Sequence, residues 1–221
     1  MEKASFLTIE GVSVHFGGIR ALNDVGFSIE EGELTALIGP NGAGKTTLLS
    51  TITNPGLAQS GKIYFRGEDL MQTSSYLVNR KGVARTFQSG EIVHSLSVRE
   101  NVMAGAVVPS KIGWIAALAN LKKSKAISAR LGRRAEELLD LVGLTAYADS
   151  PAGILAAGQQ RLLAIARAMA TDATLLLLDE PGAGLNEIEK KQLADIISAI
   201  SKSGKNILSI QHHMDLVRSI A

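Results

Sequence analysis

A chain of 221 residues holds one large domain, or a core carrying one sub-domain, and buries a sizeable core without staples. Its net charge of +2 gives no global field for nucleic acid or a strongly acidic partner, and the absence of cysteine excludes a disulfide framework and thiol chemistry, which is compatible with a reducing compartment. No apolar run approaches the ~20 residues of a membrane span, and Met1 to Phe6 carries no apolar signal-peptide core, so the chain reads as soluble or held at a membrane only through a partner.

Residues 6 to 14 alternate apolar and polar, with Phe6, Thr8, Val12 and Val14 set against Glu10 and Ser13, and the chain then turns at Gly17 and Gly18. A second short strand is expected over Val25 to Ile29, ending at Glu30, Glu31 and Gly32. Together these predict an antiparallel β-layer beside the next strand, Leu34 to Ile38. That strand runs directly into Gly39, Pro40, Asn41, Gly42, Ala43, Gly44, Lys45, Thr46 and Thr47, and a helix can open over Lys45 to Thr53. This is the pattern of a phosphate-binding loop. Glycines let the backbone curl so that its N–H groups point inward at phosphate oxygens, and the helix N-terminus adds its positive dipole end. Lys45 is placed to neutralise the β/γ-phosphates and the Thr46 hydroxyl to ligate Mg²⁺. The alternative is a glycine-rich strand-to-helix turn; the filled positions and both flanks favour a nucleoside triphosphate site.

Gly61 to Gly67 reads as another strand between turn glycines, and from about Glu91 to Gly143 the spacing of Ile127, Leu131, Leu138, Leu139 and Val142 is helical. Leu155 to Arg161 then leads into an apolar helix over Leu162 to Met169; a Gly-Gln pair at a helix start is an anion-seeking N-terminus, a weak signal taken alone. Leu175 to Leu178 has the continuous apolar character of a strand buried in a parallel sheet, and Asp179 and Glu180 follow at once. Carboxylates at such a strand end lie beside a phosphate loop: Asp179 suits Mg²⁺, directly or through water, and Glu180 suits polarising an attacking water. Leu193, Ile196, Ile197 and Ile200 line one helix face, Gly204 stops that helix, and Ile207 to Ile210 is one more buried strand.

Taken in order over essentially the whole chain, these segments resemble the ATP-binding subunit of an ABC transporter. Phe16 matches the aromatic residue that stacks on adenine, Gly39 to Thr47 the phosphate loop, and Gln88, in Val83-Ala-Arg-Thr-Phe-Gln88, the glutamine that senses Mg²⁺ and the attacking water. Leu155, Ala156, Ala157, Gly158 and Gln159 match the signature sequence, usually Leu-Ser-Gly-Gly-Gln. Asp179 and Glu180 match the second acidic motif, Gly184 to Asn186 the loop that crosses the dimer interface, and His212 the switch histidine near the γ-phosphate. The resemblance therefore implies ATP and Mg²⁺ as ligands, with Glu180, His212 and Gln88 as catalytic residues and Thr46, Gln88 and Asp179 around the metal. It implies an α/β fold of the P-loop ABC ATPase type, with a mostly parallel sheet core, an antiparallel β-layer and a helical sub-domain. The implied division is a nucleotide-binding core with β-layer over 1–87, a helical sub-domain including the signature over 88–160, and the remainder of the core over 161–221.

The wording of Gly82 to Gln88, of Ala157 to Arg161 and of Pro181 to Asn186 is similar to the ATPase branch of branched-chain amino-acid importers. That resemblance implies membrane-spanning permease subunits, a second ATPase subunit of the same or a related chain, a solute-binding protein in the full system, no nucleic acid, and a peripheral place on the cytoplasmic face of the cell membrane. The rivals are an exporter or lipid-handling ABC ATPase, and a non-transport ABC protein. Ala156 replaces the usual signature serine, and Gln211-His212-His213 stands where Glu-His-Asp is common, leaving His213 as an alternative switch. Relatives are expected to continue past the position of Ala221. Between Asn101 and Ala135 the chain has no acidic residue but carries Lys111, Lys122, Lys123, Lys125, Arg130, Arg133 and Arg134, with Trp114 and Ile115 in an apolar stretch. This is either a solvated basic face or a docking surface toward a permease and anionic headgroups.

Overall fold

The computed structural model describes residues 5–86, 92–107 and 121–211, and the side chains within those spans except at 107 and 121–127. They divide into two compact units: one takes the chain through Arg85 and again from Thr174, and the other is Thr86–Ala173.

In the first unit, β1 (Leu7–Phe16) buries Leu7, Ile9, Val12 and Val14 on one face while Glu10 lies exposed, the period-two pattern of a half-covered strand. It pairs antiparallel with β2 (Ile19–Ile29) and with β4 (Ser60–Phe65), which pairs with the two-residue β5 (Glu68–Asp69), in the order β2-β1-β4-β5. β2 begins at Ile19 rather than at Val25, because the Gly17–Gly18 turn closes a hairpin that pairs Phe16 with Ile19 at once. Register shifts and Asp24 at φ 51° interrupt the ladder and hide its first half from the alternation.

The second sheet is built from β3 (Leu34–Ile38), β6 (Val83–Thr86), β7 (Leu175–Asp179) and β8 (Asn206–Gln211), ordered β3-β8-β7-β6. β8 pairs parallel with both β3 and β7. Every residue of β7 and β8 is buried, because each face of the sheet is covered; Leu175 to Leu178 is therefore an unbroken apolar run, and β8 is mainly apolar, with Ser209 inside it. Helix α1 (Lys45–Thr53) contributes Leu48, Leu49 and Ile52 to one apolar cluster with Leu7, Ile9 and Ile63 of the antiparallel sheet and Leu177, Leu208 and Ile210 of the parallel one. Each such buried aliphatic side chain stabilises the fold by roughly 1.5–3 kcal/mol. A short helix, α2 (Ser75–Arg80), precedes β6; neither it nor β5 nor β6 stands out in the sequence, since none of the three exceeds two periods of its own pattern.

The second unit holds α3 (Val98–Val107), α4 (Leu121–Leu141) and α5 (Ala157–Ala170). Ser97 and Glu100 cap α3 reciprocally: the Ser97 amide donates to Glu100 Oε2 at 2.8 Å and the Glu100 amide to Ser97 Oγ at 3.1 Å. The Ser97 amide, and after it the Ser97 hydroxyl, hold the Glu100 carboxyl below its ordinary range by hydrogen bonding. Asn101, fully buried, exchanges hydrogen bonds with Val93 and donates to the Ser97 carbonyl, folding residues 93–97 onto the helix. Gly105 lets α3 approach α5 closely, since a Cβ there would meet the Arg167 carbonyl oxygen at 2.3 Å. Helix α5 therefore groups with this unit, whose limit is Ala173, whereas the sequence division returned to the core at residue 161. The long helical pattern expected from Glu91 begins, as helix, at Val98. Back in the first unit, α6 (Glu187–Lys202) buries Leu193, Ile196, Ile197 and Ile200 and ends before Gly204, at φ 85°.

Candidate functional site

The phosphate loop leaves β3 at Ile38 and enters α1 at Lys45. Two positions take backbone conformations that favour glycine, Gly42 at φ 80° and Gly44 at φ 83°. Gly44 is also wedged: a Cβ would lie 2.3 Å from the Ala21 carbonyl oxygen of β2. The loop is thus braced on the antiparallel sheet. Lys45, 8 % exposed, lays its ammonium back over the loop and donates to the carbonyls of Gly39 and Pro40, both at 2.8 Å. An ammonium has three hydrogens, so this arrangement fixes the charge at the loop and leaves one donor for a phosphate oxygen.

The parallel sheet brings the second half of the site to the first. β8 lies between β3 and β7, with Ile38 paired to Gln211 and Asp179 paired to Ile210, so the ends of β3 and β7 flank the end of β8. Across that gap the Thr46 hydroxyl donates to Asp179 Oδ1 at 3.3 Å. Residues 46 and 179 form a pair of hard oxygen donors, a hydroxyl and a carboxylate, of the kind a magnesium ion accepts. Glu180 follows at φ 49°, an uncommon conformation for a side chain of its size, and its carbonyl accepts from the Ala183 amide at 3.1 Å as the chain turns away.

Arg85 was missed as a site residue. Its Nη2 donates to Asp179 Oδ2 at 2.7 Å and its Nη1 to Ser50 Oγ at 2.7 Å; the side chains of Arg85 and Asp179 are 6 % and 2 % exposed. The sequence carries no signal for it, because β6 does not stand out there; once folded, an arginine between buried Ala84 and Thr86 requires a buried anion.

Phe16 ends β1 and is 51 % exposed, available to a ligand rather than spent on the core. In the second unit, Leu155 is buried and Ala156 is the N-cap of α5. The Ala156 amide donates to Gln159 Oε1 at 3.0 Å, half of a capping box; alanine has no oxygen with which to close the other half. Gln160 donates to the Leu155 carbonyl at 2.9 Å. Gly184, at φ 72°, and Leu185 lead into Asn186, which caps α6: its Oδ1 accepts from the Glu189 amide, and its own amide donates to Glu189 Oε2, both at 2.9 Å. Gln88, His212, His213, Trp114, Ile115 and Lys111 lie outside the described residues, as do the side chains of Lys122, Lys123 and Lys125.

A glycine-bearing loop braced between strand and helix, with a threonine–aspartate pair across a parallel sheet, defines a P-loop nucleotide-binding protein. The sequence pattern described as "ABC transporter" matches residues 22–183. A high-affinity branched-chain amino acid transport ATP-binding protein of Pseudomonas aeruginosa is 36% identical over 216 residues, covering 97% of this chain and 85% of its own. A probable counterpart in Archaeoglobus fulgidus is 33% identical, covering 96% and 81%. Among solved structures, a nucleotide-free ATP-binding cassette from an ABC transporter superposes with a TM-score of 0.83 at 28% identity, over 98% of this chain and 85% of that one. A cassette in its ADP conformation gives 0.80 at 28% identity, over 96% and 83%. The chain belongs to the ABC transporter family, and it is an ATP-binding, ATP-hydrolysing cassette. No helix among the described residues is long and apolar enough to cross a membrane.

Proposed function

We propose that this cassette powers uptake of branched-chain or similarly apolar amino acids, working on the cytoplasmic face of the cell membrane against permease subunits, with a solute-binding protein delivering the solute. The substrate class rests on the similarity to branched-chain amino acid transport ATP-binding proteins over nearly the full chain. The observation that carries the catalytic reading is the Thr46–Asp179 pair beside a loop whose lysine is held by the Gly39 and Pro40 carbonyls.

In this reading, backbone amides of the loop from Gly39 to Thr47, Pro40 excepted, and the Lys45 ammonium bind the β- and γ-phosphates, and Phe16 stacks on the adenine. Thr46, Asp179 and Gln88 would hold Mg²⁺, which would neutralise phosphate charge. Glu180 accepts the proton of the water whose oxygen attacks the γ-phosphorus, as the bond to the β–γ bridging oxygen breaks and ADP leaves. His212 holds the γ-phosphate through that step. One phosphate loop surrounds only one side of the triphosphate, and phosphoryl transfer gains most from donors on all sides. The signature residues Leu155 to Gln159 of a second cassette, the same or a related chain, supply the other side, so ATP closes two cassettes face to face and hydrolysis releases them.

Uptake of labelled leucine, and of a sugar as control, by cells lacking this chain tests the assignment. Leucine uptake falls and returns with the parent chain but not with Glu180→Gln. Unchanged leucine uptake refutes the proposed solute class.

A further inference from the structure

We propose that Arg85 is a positioning residue that makes the metal site depend on bound nucleotide; this deepens the reading above and rests on Thr46 and Asp179 holding the ion. The geometry is a closed ring. Thr46 Oγ1 donates to Asp179 Oδ1 at 3.3 Å, Asp179 Oδ2 accepts from Arg85 Nη2 at 2.7 Å, Arg85 Nη1 donates to Ser50 Oγ at 2.7 Å, and Ser50 Oγ donates back to the Thr46 carbonyl at 2.8 Å. Thr46 and Ser50 are one turn apart on α1, Arg85 comes from β6 and Asp179 from the end of β7, so three elements are tied at one carboxylate.

The two oxygens of Asp179 have different duties. Oδ2 is held from behind by a guanidinium whose planar fork is shared with Ser50, which fixes the carboxylate plane. Oδ1 alone faces the phosphate-loop threonine. The buried cation also cancels the charge of Asp179. Among the described residues proposed to hold it, a divalent ion arriving without nucleotide meets one neutralised carboxylate and one hydroxyl, too little charge for an ion that dehydrates reluctantly. Phosphate oxygens supply the missing negative charge. The metal therefore enters and leaves with the nucleotide, and an idle cassette does not hold it. An apolar or amide residue at 85 would leave the anion of Asp179 uncompensated and raise its attraction for any divalent ion.

Mn²⁺ binding by the full chain, read from the paramagnetic resonance of the free ion, tests this without turnover. The parent binds Mn²⁺ with ADP, and only in the millimolar range or weaker without it. Arg85→Gln tightens nucleotide-free Mn²⁺ binding by about tenfold or more. Arg85→Lys, which keeps the charge, binds nucleotide-free Mn²⁺ as weakly as the parent. Submillimolar Mn²⁺ binding by the nucleotide-free parent overturns the proposal, even if Arg85→Gln does not fold. A folded Arg85→Gln chain with parental binding, or a lysine variant that gains the ion, overturns it as well. Asp179→Asn separates the two layers: if it leaves Mn²⁺ binding with ADP intact, the metal assignment itself fails, whatever Arg85 does.

Discussion

Alanine at position 44 probes how the phosphate cradle is held. Gly44 has φ 83°, and its added Cβ would fall 2.3 Å from the Ala21 carbonyl oxygen and 2.8 Å from Leu22 Cδ2. The leucine methyl can rotate aside; the carbonyl belongs to the β2 backbone and cannot. The first contact is about 1 Å short of an ordinary carbon–oxygen approach, so the loop must lift away from the antiparallel sheet. The left-handed backbone costs an alanine about 1–2 kcal/mol, and the displacement brings the total to roughly 3–4 kcal/mol. For a chain of this size that lowers the melting temperature by about 10 °C. Gly42 is the control, because at φ 80° it has nothing within 4 Å of its Cβ position, so Gly42→Ala bears the backbone term alone. Thermal unfolding of both variants, with ADP titrations by fluorescence, measures the difference. Gly44→Ala should melt lower than Gly42→Ala and lose ADP affinity as the loop amides shift. If the two melt together, the brace on Ala21 plays no part.

Lys45→Ala should abolish ATP binding in calorimetry, because the ammonium fixed by Gly39 and Pro40 is the loop's only full charge; retained affinity refutes its phosphate role. Glu180→Gln should keep ATP affinity but stop hydrolysis and sediment as a dimer with ATP and Mg²⁺; near-parental phosphate release would remove Glu180 from the chemistry. Phe16→Ala should weaken ATP by roughly 1–3 kcal/mol, the range for aromatic–base stacking, while leaving inorganic triphosphate unaffected; equal losses would make the ring structural. Ala156→Ser restores the missing cap oxygen on α5 and should add about 1 kcal/mol, seen as a melting temperature higher by about 2–4 °C; no rise would mean that the Gln159 amide already has its partner.

Much of the site is readable along the chain because its parts are local. Gly39 to Thr47 encode a loop whose strand and helix are contiguous with it, Asn186 and Glu189 encode a helix start three residues apart, and the buried runs at 175–178 and 207–210 announce strands covered on both faces. Asp179 is identifiable because a carboxylate that ends such a run lies at the carboxyl ends of the strands of a parallel sheet, where ligands bind.

What the chain does not write locally is adjacency. Parallel strands joined by long crossovers carry no mark of their neighbours, since the backbone ladder is the same for any partner. Only the folded sheet puts β8 between β3 and β7, setting Thr46 against Asp179 across 133 residues of sequence. The fold alone also turns Arg85 from an anomalous cation in a short strand into the counter-charge of Asp179, 94 residues away, because a buried guanidinium is stable only where tertiary packing delivers an anion to it. The same holds for two boundaries: pairing of Phe16 with Ile19 across the hairpin sets the start of β2, and the close approach of α3 to α5 carries the helical unit to Ala173.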